Sequence, residues 1–509
     1  MLDKLYSMGL NGMDAFLVEV ETYVSGGLPR FDIVGLPDTA VKESRERVRS
    51  SIKNQGYEYP VSRITVNLAP ADVKKTGPLY DLPILLSILL ASRQVSLHTA
   101  ESIFIGELSL SGDVRPAAGV LPMVIKARQM GYKKIYVPVH NAAEGSVVEG
   151  IDVYPVEDIH SLLQHLQGIH PIAPARPEDY PPLPAVNYPD FADVKGQYQA
   201  KRALEIAAAG AHNVLLIGPP GSGKSMLARR LPSILPDMTF EESIETTKIH
   251  SIAGTLPSHT PLIKTRPFRS PHHTVSAVAL SGGGSIPKPC EVSLAHNGVL
   301  FLDELPEFSR TAIEGLRQPI EDGQVSIARV AGTLTYPCDL MLVAAMNPCP
   351  CGFFGHPTRR CTCSEGAAAR YVNRISGPLL DRLDIHVEVP PVEYDQLSST
   401  RKGERSEAIR ERVNRARSIQ LARYENDNIH ANASLTAPLL QKYCVMDDRA
   451  KQMLKAVFDK LGLSARGYDR ILKVARTIAD LENSETITED HIAEAIQYRT
   501  LDRKYWQGR

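Results

Sequence analysis

The eight residues Gly218, Pro219, Pro220, Gly221, Ser222, Gly223, Lys224 and Ser225 constrain this chain more than any other stretch. They fit G-x-x-x-x-G-K-[ST], follow the strand-like run Asn213–Ile217, and open a helical pattern at Lys224. Glycines at this spacing let backbone N–H groups close on phosphate oxygens. Lys224 adds a point charge for the β- and γ-phosphates, and Ser225 a hydroxyl for Mg2+. The stretch predicts strand, tight loop and helix in that order, and a nucleotide as ligand. Alone it says nothing of what the nucleotide is used for.

Three further apolar runs supply context. "GVLFLDE", "LMLVAAMN" and "DIHVEVP" are short, and helical patterns separate them, as in a parallel sheet buried on both faces. The first ends in Asp303 and Glu304, which places one carboxylate beside the Mg2+ and the next where it can polarise a water. In isolation such a pair reads as solvated turn residues; about 80 residues after a phosphate loop it reads as catalytic. Asn347 ends the second run and either orients that water or caps a turn. Arg374 and Arg382, in "RISGPLLDRLDIHVEV", can neutralise charge on a γ-phosphate; Arg382, between Asp381 and Asp384, can equally form a local ion pair. Arg466 and Arg470 both suit a late nucleotide contact, and the sequence does not choose between them.

At 509 residues the chain calls for about three domains. Residues 169–189 carry seven prolines in 21 positions, which suits neither helix interior nor sheet, and read as a linker. Before it, 1–168 mixes alternating and helical patterns, an α+β domain, with a helix capped by Asp38 and closed at Gly56. After it come an α/β core, 190–394, and a helical region, 395–509. The longest apolar run, Leu82–Ser92, is far short of the ~20 residues a membrane span needs and reads as a buried helix. With no signal-peptide pattern either, the chain is expected in the cytoplasm. Lys plus Arg is 57 and Asp plus Glu is 58, so any nucleic acid must be met by a local patch. Four of the seven cysteines, Cys349, Cys351, Cys361 and Cys363, form C-x-C-x9-C-x-C. Four thiolates complete a tetrahedral structural Zn2+ site, although free thiols and a redox pair remain alternatives at this tighter than usual spacing.

Taken together, "FDIVGLPDTAVKESRERVRSSI", "GELSLSGDVRPAAGV", "RPFRSPHHTVS", "SLAHNGVLFLDELPEF", "LRQPIEDG", "AAMNPCPCG" and "RISGPLLDRLD" resemble the ComM/YifB family of magnesium-chelatase-like AAA+ ATPases over nearly the whole length. The resemblance implies an α/β P-loop AAA+ core, a Lon-protease/S5-like N-terminal domain and a helical C-terminal lid. It further implies a homo-hexameric, ATP- and Mg2+-dependent motor linked to natural transformation and branch migration, acting on single-stranded or branched DNA. Asn347 then falls at the sensor 1 position, Arg382 serves a neighbouring subunit as arginine finger, and Arg466 or Arg470 is the lid arginine. Cys290 stands where the family pattern has Gly. The N-terminal domain lacks the Lon Ser/Lys dyad: Leu79 and Tyr80 follow Gly77-Pro78, and no Lys follows in "PAAGVLPMV". No protease activity is expected.

Phosphate contacts dominate DNA affinity, so cations on pore-lining elements are the candidate contacts. Lys264, Arg266 and Arg269, with His272 and His273, lie in the inserted segment before the Asp303 strand, and Arg329 lies near the turn of a β-hairpin read in "EDGQVSIARVAGTLTYP". Two other functions compete: a chelatase-type ATPase subunit that remodels a partner protein, and a nucleotide switch. A switch needs no water-positioning group, which speaks against it.

Overall fold

Alternation along Asp14–Ser25 buries Val18, Val20 and Thr22 on one face, with Ala15 in the core on the other, and the strand belongs to a seven-stranded sheet. The computed structural model of the chain describes residues 4–180, 188–284, 288–329, 332–398, 403–461 and 464–506. The N-terminal sheet is built from β1 (Lys4–Asn11), β2 (Asp14–Ser25), β3 (Arg30–Val34), β4 (Arg63–Ala69) and β5 (Ser102–Phe104). A small ribbon of β6 (Glu107–Leu108) and β7 (Val114–Arg115) precedes its last strands, β8 (Lys134–Pro138) and β9 (Asp152–Val156). The order is β3-β4-β2-β1-β5-β8-β9, antiparallel where β2 meets β1 and β4, and parallel elsewhere.

The apolar run near Leu82 forms the helix Asp81–Ala91, buried on nearly every face. Its first residue, Asp81, is fully buried and accepts from Arg47 Nε at 2.5 Å and Nη2 at 3.1 Å, so the buried carboxylate is paired. Asp38 caps its helix by accepting from Val41 N at 2.8 Å, and Gly56 follows the next helix, Ser44–Asn54, at φ +80°. The proline-rich segment starts by hydrogen bonding back to the first domain, Ala175 N to Val153 O; positions 181–187 of the expected linker lie outside the described residues.

The second sheet contains β10 (Val214–Ile217), β11 (Phe268–Arg269), β12 (Val299–Leu302), β15 (Met341–Met346) and β16 (Ile385–Glu388), in the order β11-β12-β15-β10-β16 and parallel throughout. Between β12 and β15 the chain makes the antiparallel hairpin β13 (Gln324–Arg329) and β14 (Gly332–Pro337). Val214 and Leu216 pack into one core while Leu215 and Ile217 pack into another, so both faces are covered, as continuous apolar strands require. Register sets Val214 against Val343 and Ile385, and Val299 against Met341, which brings the strand ends to one edge of the sheet. Cys290 has φ −98°, an ordinary value for an L-residue, and its position needs no glycine.

Helices dominate the rest of the chain. Ser406–Arg423 buries Ile409, Val413 and Ala416, and its buried Arg417 donates to the carbonyls of Ala208 and Ala209 at 3.3 and 3.2 Å. Those carbonyls end the core helix Tyr198–Gly210, where a cation complements the helix dipole. Thr477, on the helix Ala465–Leu481, meets His212 Nε2 at 2.7 Å, and His212 Nδ1 lies 3.1 Å from buried Asp384. Burial, the largest single effect, works to raise the Asp384 carboxyl, but the hydrogen bond and charge of His212 together with the nearby Lys473 and Arg470 hold the group below the usual carboxylate range. Among the described residues no helix is long and apolar enough to cross a membrane.

Candidate functional site

The ends of β10, β12 and β15 meet at the phosphate loop. β10 is wholly buried; after Ile217 the chain turns through residues 218–223, and Gly223, at φ +96°, caps the helix Lys224–Ala228. Gly218 N donates to Met346 O at 3.2 Å, which pins the loop to β15. Lys224 is 8% exposed and its Nζ donates to Gly218 O at 2.7 Å, Pro219 O at 2.9 Å and Asn347 Oδ1 at 3.1 Å. Burial pulls its ammonium down to about 8, with Asp303 and Glu304 pulling the other way. An incoming polyphosphate would restore a full charge there.

Ser225 Oγ donates to Asp303 Oδ2 at 2.6 Å, so the hydroxyl and carboxylate expected on Mg2+ are already adjacent. Both are hard oxygen donors and fit that ion, which usually takes one or two protein oxygens and completes its shell with water and phosphate. Glu304 has φ +54°, a strained value for a residue with a side chain, and its N–H donates to Asp303 Oδ1 at 3.0 Å. The half-exposed Glu304 carboxylate lies 3.3 Å from His273 Nδ1. The sequence groups His273 with the candidate DNA-facing cations; the pairing of β11 with β12, which no local sequence pattern states, brings its segment beside the Asp303–Glu304 strand.

Arg382 lies just before β16. Its Nη1 donates to Pro378 O at 2.6 Å and its Nη2 pairs with Glu321, so neither Asp381 nor Asp384 is its partner. The local ion pair with its sequence neighbours is therefore corrected: Asp384 turns inward to His212, and Asp381 faces Arg470 at 3.2 Å and Arg466 at 3.8 Å. Arg470 is buried and Arg466 exposed, on the same helix. Arg374 is 56% exposed, donates to Pro306 O at 3.2 Å, and borders a cleft that Arg310 and Arg370 also line.

The expected DNA contacts divide. Lys264 is exposed. Arg266 corrects the expectation: only 10% of its side chain is exposed, and it donates to Glu242, to the carbonyls of Pro236 and Asp237 and, at 2.9 Å, to Asn297 O. With all three guanidinium nitrogens engaged inside the fold, it has little left to offer a phosphate. Arg269 makes two bonds of 2.7 Å to Glu291 and is partly exposed. Arg329 ends β13 opposite Gly332, at the tip of the hairpin; its side chain lies outside the described residues.

The four cysteines converge. Their sulfurs all lie within 4.8 Å of one another, with Cys349 3.4 Å from Cys351 and 3.8 Å from Cys361, and Cys351 3.5 Å from Cys361. A tetrahedral ion with Zn–S bonds of about 2.3 Å has sulfurs about 3.8 Å apart, so the set fits Zn2+. Phe354 N points at Cys349 Sγ and Cys351 N at Cys363 Sγ, at 3.3 and 3.4 Å, donors that suit thiolates. All four are free of disulfides.

Comparison with known proteins agrees with this layout. The family model "Magnesium chelatase, subunit ChlI" matches residues 190–397, "Subunit ChlI of Mg-chelatase" matches 20–141, and "Magnesium chelatase, subunit ChlI C-terminal" matches 403–499. The chain is 44% identical over 504 residues to the Escherichia coli protein YifB, covering 99% of this chain and 98% of the relative. It is also 44% identical to the competence protein ComM of Haemophilus influenzae over 507 residues, 98% of this chain and 97% of the relative. The magnesium-chelatase 67 kDa subunit of Chlorobaculum parvum is 28% identical over 162 residues, 31% of this chain and 23% of that protein.

Proposed function

The chain belongs to the magnesium-chelatase-like AAA+ family that includes YifB and ComM, and on that premise we propose that it is an ATP-hydrolysing DNA motor working as a homo-hexamer. The observation that carries the hydrolytic part is the Ser225–Asp303 contact at 2.6 Å, with Glu304 one residue beyond it. Ser225 and Asp303 would hold Mg2+, whose charge draws electrons from the phosphate being transferred. Lys224 neutralises the β- and γ-phosphates, Glu304 polarises the attacking water, and Asn347 orients it. Arg382 reaches the γ-phosphate of the neighbouring subunit once freed from Glu321, and one of Arg466 and Arg470 senses it from the lid. DNA as substrate is supported by the ComM relative, a competence protein, and by the exposed Lys264 and the hairpin end at Arg329. Branch migration of recombination intermediates in the cytoplasm is the activity this reading assigns.

In the same reading residues 1–168 are a Lon/S5-like domain without protease activity, 169–189 a linker, 190–394 the ATPase core and 395–509 the lid. The cysteines hold one structural Zn2+. ATPase rate and native mass, each measured with single-stranded, duplex and four-way-junction DNA, test the proposal. DNA-stimulated hydrolysis by a particle of six chains is expected. A rate that no DNA changes, and that rises only with a partner protein, would replace the motor with a remodelling subunit.

A further inference from the structure

We propose that the four-cysteine clip is a metal-dependent brace of the phosphate loop, so that Zn2+ held by Cys349, Cys351, Cys361 and Cys363 governs how tightly residues 218–225 grip a nucleotide. The inference rests on the zinc reading of the clip. Gly352, between the two cysteine pairs, is buried and has φ +82°. A Cβ built on it would lie 2.3 Å from Cδ and 2.6 Å from Cγ of Pro220, so its bare backbone abuts the proline ring in the middle of the phosphate loop. Only glycine permits both that approach and that φ.

A second contact lies two residues before the clip. Lys224 Nζ donates to Asn347 Oδ1, and the chain runs from Asn347 through Pro348 directly into Cys349, which is fully buried. The clip thus touches the phosphate loop at Pro220 and, through Asn347, at Lys224.

Regular secondary structure does not hold the segment in shape. Residues 350–363 contain no helix or strand, and apart from Gly352 N to Cys349 O and His356 N to Phe353 O their backbone is tied chiefly to cysteine sulfur and to the His356 ring. Ordering such a run costs conformational entropy that no hydrogen-bond ladder offsets, and metal binding is what supplies it. Without the metal, Gly352 is no longer pressed on Pro220, and the loop must be ordered by the nucleotide itself, which weakens binding.

Zinc content by mass spectrometry and the Kd of a fluorescent ADP analogue, both on the full chain, separate the two layers of this inference. Wild type, Gly352→Ala and the exposed-tip control Arg360→Ala should each carry about one Zn2+ per chain and Cys361→Ser none. Kd should rise at least about tenfold in Gly352→Ala and in Cys361→Ser, and stay unchanged in Arg360→Ala. A folded, metal-free wild type overturns the zinc reading. Zinc-loaded Gly352→Ala with the wild-type Kd overturns the brace even if Cys361→Ser fails to fold, and leaves the zinc reading standing.

Discussion

The strand ends at the phosphate loop and the neighbouring segment Lys264–His273 are both rich in charge, yet they engage it in opposite ways. At the strand ends Lys224 meets Asn347, Ser225 meets Asp303, and Glu304 stays half exposed. In the segment, Arg266 and Arg269 are matched to Glu242 and Glu291, residues 24 positions before and 22 after them. A charge cluster whose cation is met only by neutral oxygens can still gain from an anionic ligand, whereas one saturated by distant acids holds the fold.

The sharpest way to break this comparison is at the strand ends. Lys224→Ala and Glu304→Gln should each lower ATP hydrolysis by about 10²- to 10³-fold, the effect of removing one group that stabilises the reacting phosphate or its water. Equilibrium nucleotide binding should divide them: Lys224→Ala loses affinity, Glu304→Gln keeps it. If Glu304→Gln hydrolyses ATP at the wild-type rate, the acid is a turn residue and the strand ends are only a binding site.

Arg266 tests the other side. Removing it leaves Glu242 part-buried without its cation, next to the unpaired carbonyls of Pro236 and Asn297, and breaking a buried pair in this way costs about 3–5 kcal/mol. Chemical denaturation of Arg266→Ala should show that loss, while exposed Lys264→Ala should melt with wild type and lose only DNA stimulation. A stable Arg266→Ala with weakened DNA response would return Arg266 to the DNA-facing surface.

These outcomes track what the sequence could convey. Strand, loop and helix at 213–228 were legible because phosphate binding dictates both residue type and spacing, and parallel register then carries Asp303 and Asn347 to the same edge. The convergence of the four cysteines was legible too, because two C-x-C pairs nine residues apart can fold onto one point, though the spacing did not choose among metal, free thiols and a redox pair. Arg266 was not, because whether a guanidinium is free depends on which acid a long segment folds against it, and no local pattern states that. The pairing of Arg47 with buried Asp81 was hidden likewise, because the two lie 34 residues apart and no local pattern joins them.

The smallest expected effect lies where the two regions touch. His273 belongs to the inserted segment, and its Nδ1 lies 3.3 Å from Glu304, a carboxylate still half exposed to solvent. A pair with that much water around it is worth roughly 0.2–1 kcal/mol, enough to bias the acid without locking it. If Glu304 is the acid that polarises the attacking water, as proposed, its contact with His273 competes with that task and should hold basal hydrolysis down. His273→Ala should therefore raise the DNA-independent ATPase rate by roughly 1.5- to 5-fold, the factor that this energy allows, and flatten any stimulation by DNA. A fall in the basal rate at unchanged nucleotide affinity would reverse the assignment: His273 would then orient Glu304 for catalysis, and the boundary between a ligand-seeking cluster and a structural one would run through the segment itself.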